Sequence, residues 1–332
     1  MTSSVRLAAG VTLAFMLTAT SAFAAPRVVA SIKPIHSIAA SLMQGTGEPE
    51  LLLDAAVSEH TAQLKPSQVE ALQNADLILV VGDNLEAFFR KALENPEIAG
   101  KRTLKLAEAP GVRTLPVREG GVWEAHQHGE GDGDHDHDHD HDEDHATGSE
   151  PAGHEHEHEH EGPDPHVWMD PENAKAIAAA IAAELSRQDP ANAAVYAANR
   201  KAFDERMDKL SKAIETEVAP VRDRRFIVFH DAYQYFENRF GLAAAGSITL
   251  NPESTPGAKR LSEIHRRIAD TGSVCVFAEP QFEAKYVQTV VEGTAARTAV
   301  LDGLGAGIAA GPAAYEEMMK AFTADLTQCL RG

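Results

Sequence analysis

Short apolar runs alternate with helical patterns along the first third of the chain. The apolar runs, rich in Val, Ile and Leu, begin at residues 27, 50, 77 and 103. The stretches with helical spacing cover residues 36–44, 65–75 and 85–93. Runs this short, bounded by Gly, Pro or Asp, are typical of strands buried on both faces of a parallel sheet. The alternation therefore predicts an α/β lobe.

The same alternation returns after residue 225, in the runs FIVF, LAAAGSITL, SVCVFA and RTAVL. Between the two parts, an alanine-rich helix ends before Pro190, and residues 190–218 are rich in strong helix formers. At 1.5 Å per residue, this second helix would be about 40 Å long. We predict an α/β fold of two lobes, each a parallel sheet flanked by helices, joined by one long rigid linking helix.

The first 25 residues have the pattern of a secretory signal peptide. Arg6 precedes an apolar stretch that is too short to span a bilayer comfortably, and Ala22-Phe23-Ala24 forms a small-x-small cleavage site. We expect an exported, periplasmic protein; retention of the segment as an anchor is the alternative. The predicted domains are the signal peptide at 1–25, an N-terminal lobe at 26–189, the linking helix at 190–218 and a C-terminal lobe at 219–332.

Acidic charge is concentrated in one segment of the N-terminal lobe. The 332 residues have a formal net charge of −20, and residues 126–161 contribute −14 of it, with no Lys or Arg. This charge argues against nucleic-acid binding, which needs a basic face, and favours cations as partners. The segment also holds 11 of the 16 histidines. Its HD and HE repeats can bind several divalent ions weakly, and we expect the loop 124–163 to be disordered without metal.

Nothing in the sequence points to covalent catalysis. Residues 154–158 match the H-E-x-x-H pattern of zinc proteases, but that motif needs a stable helix beside a substrate cleft, and here it arises from the HE repeat. There is no G-x-S-x-G elbow, phosphate loop or dinucleotide fingerprint. A metallohydrolase would also need a general base, for which Glu59 and Glu279 are indirect candidates. We therefore expect no enzyme activity.

Five histidines lie outside the acidic segment, and three of them lie at predicted strand ends or loop ends. Ligands of open parallel sheets bind beyond the carboxyl ends of the strands. The residues at such positions are Glu59 and His60 after ELLL, His166 where the acidic segment ends, His230 after FIVF, Glu279 after SVCVFA and Asp302 after RTAVL. Three imidazoles with a carboxylate or a water suit Zn²⁺. His36 and His265 are interpreted as structural or solvated.

The two cysteines, Cys275 and Cys329, would face an oxidising compartment after export. A disulfide between them is favoured there, and two buried free thiols are the alternative.

Several phrases of the chain together resemble the ZnuA type of periplasmic zinc-binding receptor, from the metal-specific cluster of solute-binding proteins that serve ATP-driven importers. They are SIKPIHSIAASLMQGTGEPELLL, SEHTAQLKPSQVEALQNADLILVVGDNLEAF, DPHVWMDP, FHDAYQYFENRFGL and VFAEPQF. They cover essentially the whole mature chain in order, and an acidic His-rich insertion is typical of the zinc members.

The resemblance implies two α/β lobes, a rigid linking helix and one buried metal. The family's three histidine ligands correspond to His60, His166 and His230, and a histidine at the third position favours zinc over manganese. The fourth ligand corresponds to Glu59, with Asp302 or water as alternatives. The family's C-terminal disulfide corresponds to Cys275 and Cys329.

The resulting hypothesis is a monomeric receptor that captures Zn²⁺ in the periplasm and delivers it to an inner-membrane ABC permease with its ATPase. The alternatives are a zinc buffer that acts mainly through the His-rich segment, and a manganese receptor.

Overall fold

The computed structural model of the chain describes residues 25–118, 162–249, 252 and 255–332. The predicted signal peptide, except Ala25, and residues 124–161 of the predicted His-rich loop lie outside the described residues. No helix in the described part of the chain is both long enough and apolar enough to cross a bilayer.

The first lobe is built on a parallel sheet with the strand order β2-β1-β3-β4. Its strands are β1 (Val28–Ala30), β2 (Glu50–Leu51), β3 (Leu77–Val80) and β4 (Thr103–Lys105). Its helices are α1 (Lys33–Leu42), α2 (Pro66–Asn74), α3 (Ala87–Ala92), α4 (Pro96–Ala99) and α5 (Pro171–Gln188). Every residue of β1 and β3 is buried, as expected for apolar strands covered on both faces.

The second lobe repeats this arrangement, with the parallel order β6-β5-β7-β8. Its strands are β5 (Phe226–His230), β6 (Gly246–Thr249), β7 (Cys275–Ala278) and β8 (Arg297–Val300). Its helices are α7 (Gln234–Phe240), α8 (Ala258–Thr271), α9 (Lys285–Val291) and α10 (Ala314–Arg331). Two parallel sheets flanked by helices confirm the predicted fold class.

The long helix α6 (Ala193–Val218) connects the lobes. Its 26 residues span about 39 Å. Its buried side chains recur every three to seven residues along one stripe: Tyr196, Phe203, Met207, Leu210, Ile214 and Val218. The Asn199 side chain donates hydrogen bonds to backbone carbonyls at the end of α1. The centroid of the Phe203 ring lies 6.3 Å from the centroid of the Tyr315 ring on α10. The helix therefore packs against both lobes.

The linking helix starts three residues later than the predicted position 190. Residues Pro190–Asn192 form a separate 3₁₀ turn, in which the Asp189 carboxylate accepts hydrogen bonds from Asn192 Nδ2 and Tyr196 Oη. A proline lacks the backbone N–H of a continuous helix, so it begins this turn readily. The domain limits themselves remain predictions.

One apolar core runs from the first sheet through α5 and α6 to a face of the second sheet. A smaller core lies between the other face of the second sheet and the helices α8 and α9. Because the larger core is shared, the two lobes are held together by close-packed side chains rather than by a linker alone. A disulfide joins Cys275 at the start of β7 to Cys329 on α10, which confirms the predicted pairing.

Candidate metal centre

Three histidines that are far apart in the sequence meet between the lobes. His60 Nε2 lies 3.3 Å from His166 Nε2, and His166 Nε2 lies 3.3 Å from His230 Nε2. The three nitrogens all lie within 4.8 Å of one another. The structure thus brings together the three histidines chosen from the sequence.

Each histidine is positioned by a different element. His60 lies on the loop between β2 and α2, with its backbone N–H directed at Ser58 Oγ. His166 precedes a short 3₁₀ turn, Val167–Met169, that leads into α5. His230 is the last residue of β5 and pairs with Thr249 of β6. The sheet edge, the turn and the loop converge on one point, as expected for a ligand site beyond strand ends.

The position of His166 depends on contacts at both ends of the segment 119–161. Pro116 and Pro163 form an isolated antiparallel bridge, and Asp164 donates its N–H to the Leu115 carbonyl at 2.8 Å. The Tyr235 hydroxyl of α7 donates to the Asp164 carbonyl at 2.6 Å and accepts from the Leu115 N–H. His166 is therefore fixed by the second lobe as well as by its own.

Buried carboxylates orient two of the three imidazoles. His166 Nδ1 lies 2.8 Å from Asp164 Oδ1, and His230 Nδ1 lies 2.8 Å from Glu279 Oε1. Each Nδ1–H donates to its carboxylate, which leaves the Nε2 lone pair directed at the other rings. Facing lone pairs repel unless a cation lies between them, so the donor set suits a metal ion.

The distances between the nitrogens also fit a zinc ion. In a tetrahedral zinc site with Zn–N bonds of 2.0–2.1 Å, neighbouring nitrogens lie about 3.3–3.4 Å apart. The two Nε2–Nε2 distances of 3.3 Å agree with this value. Nitrogen ligands suit Zn²⁺ better than they suit Mn²⁺, Mg²⁺ or Ca²⁺, which favour oxygen.

Glu59, the first of the proposed fourth ligands, lines the cavity at the histidines. Its Oε1 lies 3.9 Å from His60 Nε2, and the residue is 5% exposed. The carboxylate of Asp302 instead accepts hydrogen bonds from the backbone N–H groups of Leu304, Gly305 and Ala306. The two carboxylates thus have different surroundings: Glu59 lines the cavity at the histidines, whereas Asp302 caps its own turn.

Burial changes the protonation of these groups. It lowers the pKa of His166 well below its ordinary value, assisted by the positive charge of His230. Burial alone would also lower the pKa of His230, but the Glu279 carboxylate raises it above its ordinary value. Burial raises the pKa of Glu59 to about 7, against the attraction of His230. His166 is therefore neutral and ready to bind metal near neutral pH, while Glu59 is partly protonated there.

The cavity between these side chains has a volume of about 10 Å³. This is room for about one water-sized particle or ion. Besides Glu59, Glu279 and two of the histidines, it is lined by Trp168, Tyr233 and Gln281.

The sequence indicates only some of the residues that contact the three histidines. Asp164 lies two residues before His166, and an acid beside a histidine ligand is a usable signal. The position of Glu279 after a strand predicts a site carboxylate or a base, but it does not predict the contact with His230. His36 and His265 lie outside the cluster, and each ring lies 3.0 Å from a backbone carbonyl oxygen.

Relatives of the chain match it over almost its whole length. The high-affinity zinc uptake system protein ZnuA of Brucella abortus (strain 2308) is 52% identical over 305 residues, which cover 91% of each chain. The protein of the same name from Paracoccus denitrificans is 44% identical over 306 residues, which cover 92% of each chain. The periplasmic zinc-binding protein TroA from Treponema pallidum has a similar fold, with a TM-score of 0.73, 20% identity and coverage of 92% of this chain and 99% of that one.

Residues 28–329 also match the family described as zinc-uptake complex component A, periplasmic. This match covers both sheets, the linking helix and the three clustered histidines. The chain therefore belongs to the ZnuA family of periplasmic zinc-uptake components.

Proposed function

We propose that this chain is a periplasmic receptor that captures one Zn²⁺ ion between its lobes and delivers it to an inner-membrane ABC permease with its ATPase. The observation that carries the proposal is the convergence of three histidine nitrogens within 4.8 Å of one another, two pairs of which lie 3.3 Å apart. The zinc uptake named for relatives up to 52% identical supports the choice of metal and the transport role. The protein acts as a monomer after removal of its signal peptide.

In this proposal His60, His166 and His230 bind the ion directly, and Glu59 supplies the fourth ligand. Asp164 and Glu279 hold two of the rings in the productive orientation. Three neutral imidazoles and one carboxylate leave a charge of +1 on the zinc site, and the two outer carboxylates compensate it within a buried region. Zinc is the cargo of this site, so the ligands must also be able to release it.

Calorimetry on the mature chain with and without residues 126–161 tests this function. A receptor keeps one tight zinc site after the deletion and loses only weaker additional sites. A zinc buffer would lose most of its binding, which is the alternative suggested by the 11 histidines of that segment. A loss of the tight site on deletion would overturn the receptor proposal.

Removing the charge of either outer carboxylate should weaken zinc binding. We expect Glu279→Gln and Asp164→Asn each to lower the affinity about 10- to 100-fold, because the carboxylate raises the basicity of the ring it contacts. Competition with a chelator of known affinity measures the change. Glu283→Gln is the matched control, because this glutamate is exposed and pairs with Lys285. Wild-type affinity in both variants would contradict the proposed roles of Glu279 and Asp164.

Zinc binding should weaken as the pH falls. Zinc needs an ionised Glu59, whereas the raised pKa of this carboxyl, about 7, favours its protonated form at lower pH. The Glu279 carboxylate raises the pKa of His230, which acts in the same direction. For a group of pKa 7, the affinity falls about tenfold between pH 8 and pH 6. Calorimetry in buffers of different ionisation enthalpy should detect protons released at pH 6.5. Glu59→Gln should release about three-quarters of a proton fewer, because a carboxyl of pKa about 7 is protonated to that extent at this pH, and equal release from both chains would contradict this assignment.

A further inference from the structure

The loop that carries Glu59 and His60 is held most firmly at its two ends. At the start of the loop, Leu52 and Leu53 donate backbone hydrogen bonds to the carbonyls of Ala30 and Ser31. At its far end, the N–H of Lys65 donates to Gln68 Oε1 at 2.7 Å. Gln68 Nε2 also donates to the Leu52 carbonyl, which ties the two ends together.

Between these ends, several hydrogen bonds of the loop are local. The N–H groups of Ala56 and Val57 donate to Asp54, and those of His60 and Thr61 donate to Ser58. Local bonds of this kind shape a loop but do not fix its position against the rest of the molecule. Its position depends on contacts that the loop makes with other elements.

One such contact crosses from the second lobe. Gln281 follows β7 by three residues, lines the cavity at the metal centre and donates its Nε2–H to the Ala55 carbonyl at 2.6 Å. Glu279, two residues before Gln281, accepts a hydrogen bond from His230 Nδ1. The same short segment of the second lobe therefore holds a histidine of its own sheet and the loop that carries His60.

The lobes are joined differently on another side of the site. The buried Lys33 ammonium donates to the carbonyls of Gly305 and Ile308 at 2.6 and 2.7 Å. Tyr315 donates its N–H to Ser37 Oγ at 2.8 Å, and the shared apolar core lies beneath these contacts. Separating the lobes here would expose a buried ammonium and close-packed apolar side chains. A movement of the loop alone leaves these contacts in place.

We infer that Gln281 is a positioning residue that holds the loop of Glu59 and His60 against the second lobe and thereby sets the rate at which the metal leaves. The inference rests on the proposed zinc-binding function. While the Gln281–Ala55 hydrogen bond is intact, two of the proposed ligands stay directed at the ion. When it breaks, the loop can move by its own flexibility and carry both ligands away without separating the lobes.

The contact requires a hydrogen-bond donor of the length of glutamine. Alanine at this position removes the donor. Glutamate keeps the size but presents a carboxylate to a carbonyl oxygen, which repels it. Both changes remove a hydrogen bond, and a neutral hydrogen bond of this kind corresponds to about a fivefold change in an equilibrium constant.

Stopped-flow capture of zinc by excess chelator tests the inference on the mature full-length chain loaded with one equivalent of Zn²⁺. We expect Gln281→Ala to raise the release rate about fivefold and Gln281→Glu to raise it at least as much. The association rate should stay within about twofold of wild type, because the change acts on the closed complex. Gln288→Ala, at an exposed position of α9, should release zinc as the wild type does.

A positioning role for Gln281 and a general role in folding differ in their effect on the thermal stability of the zinc-free protein. The melting temperature of the zinc-free protein should fall in the Gln281 variants by no more than the roughly 2–4 °C that loss of one hydrogen bond causes. An unchanged release rate in Gln281→Ala would overturn the inference, and so would a faster release accompanied by a fall of more than about 10 °C, which would indicate a general loss of structure. Absence of tight one-to-one zinc binding by the wild type would instead overturn the proposed function.

Discussion

Replacing His166 with alanine should abolish tight one-to-one zinc binding. His166 is the central ligand of the cluster, because its Nε2 lies 3.3 Å from the Nε2 atoms of both His60 and His230. Its loss leaves two imidazoles and a carboxylate around a void that a water must fill. Changes to residues that only orient a ligand cost 10- to 100-fold in affinity, so we expect loss of a ligand to cost more than about 100-fold.

Chelator competition and calorimetry on the chain without residues 126–161 measure this loss without the weak sites of that segment. His265→Ala is the matched control, because His265 is a partly buried histidine of the second lobe whose ring contacts the Val290 carbonyl, outside the cluster. The control should bind zinc as the parent chain does. Retention of parental affinity by His166→Ala would show that the cluster is not the tight site.

The fold was predictable because its strands carry a strong local signal. In β3, all four residues Leu77–Val80 are apolar and buried, and a run of this kind cannot lie at the surface of a sheet. The order of such runs, each followed by a helical pattern, defines an α/β class before any contact is known. Element ends were less predictable: Pro190 belongs to a separate turn, and α6 begins only at Ala193.

The candidate ligands were predictable in part for the same reason. His230 ends β5 and therefore lies at the sheet edge where ligands bind. His60 and His166 come from loops, whose paths depend on distant contacts, and the family resemblance contributed most to their choice. Only the structure shows that all three Nε2 atoms converge.

Beyond Asp164, several of the groups that support the ligands could not be predicted from sequence. Arg118 binds Asp231, the residue after His230, and also Glu237 on α7. These partners are 113 and 119 residues away from it along the chain. Gln281 and Ala55 are 226 residues apart. No periodicity or spacing reports pairs of this kind, because they arise only when the two lobes pack together.

Removing the disulfide should lower the stability of the zinc-free protein without changing its zinc site. Cys275 and Cys329 are separated by 54 residues, and a crosslink across such a loop stabilises a fold by about 4 kcal/mol through the entropy of the unfolded chain. The double variant Cys275→Ala with Cys329→Ala should therefore unfold at lower denaturant concentration. Its melting temperature should fall by on the order of 10 °C.

Zinc affinity should be unaffected by this change, because the bond and the site lie at opposite ends of β7. Cys275 begins the strand and Glu279 follows its last residue, so the two positions are about 13 Å apart along the strand. The matched control is wild-type protein treated with a reductant, which should reproduce the lower melting temperature. A loss of zinc affinity in the double variant under conditions where it is folded would mean that the disulfide also supports the position of Glu279 and His230. Unchanged stability would contradict the entropic role of the bond.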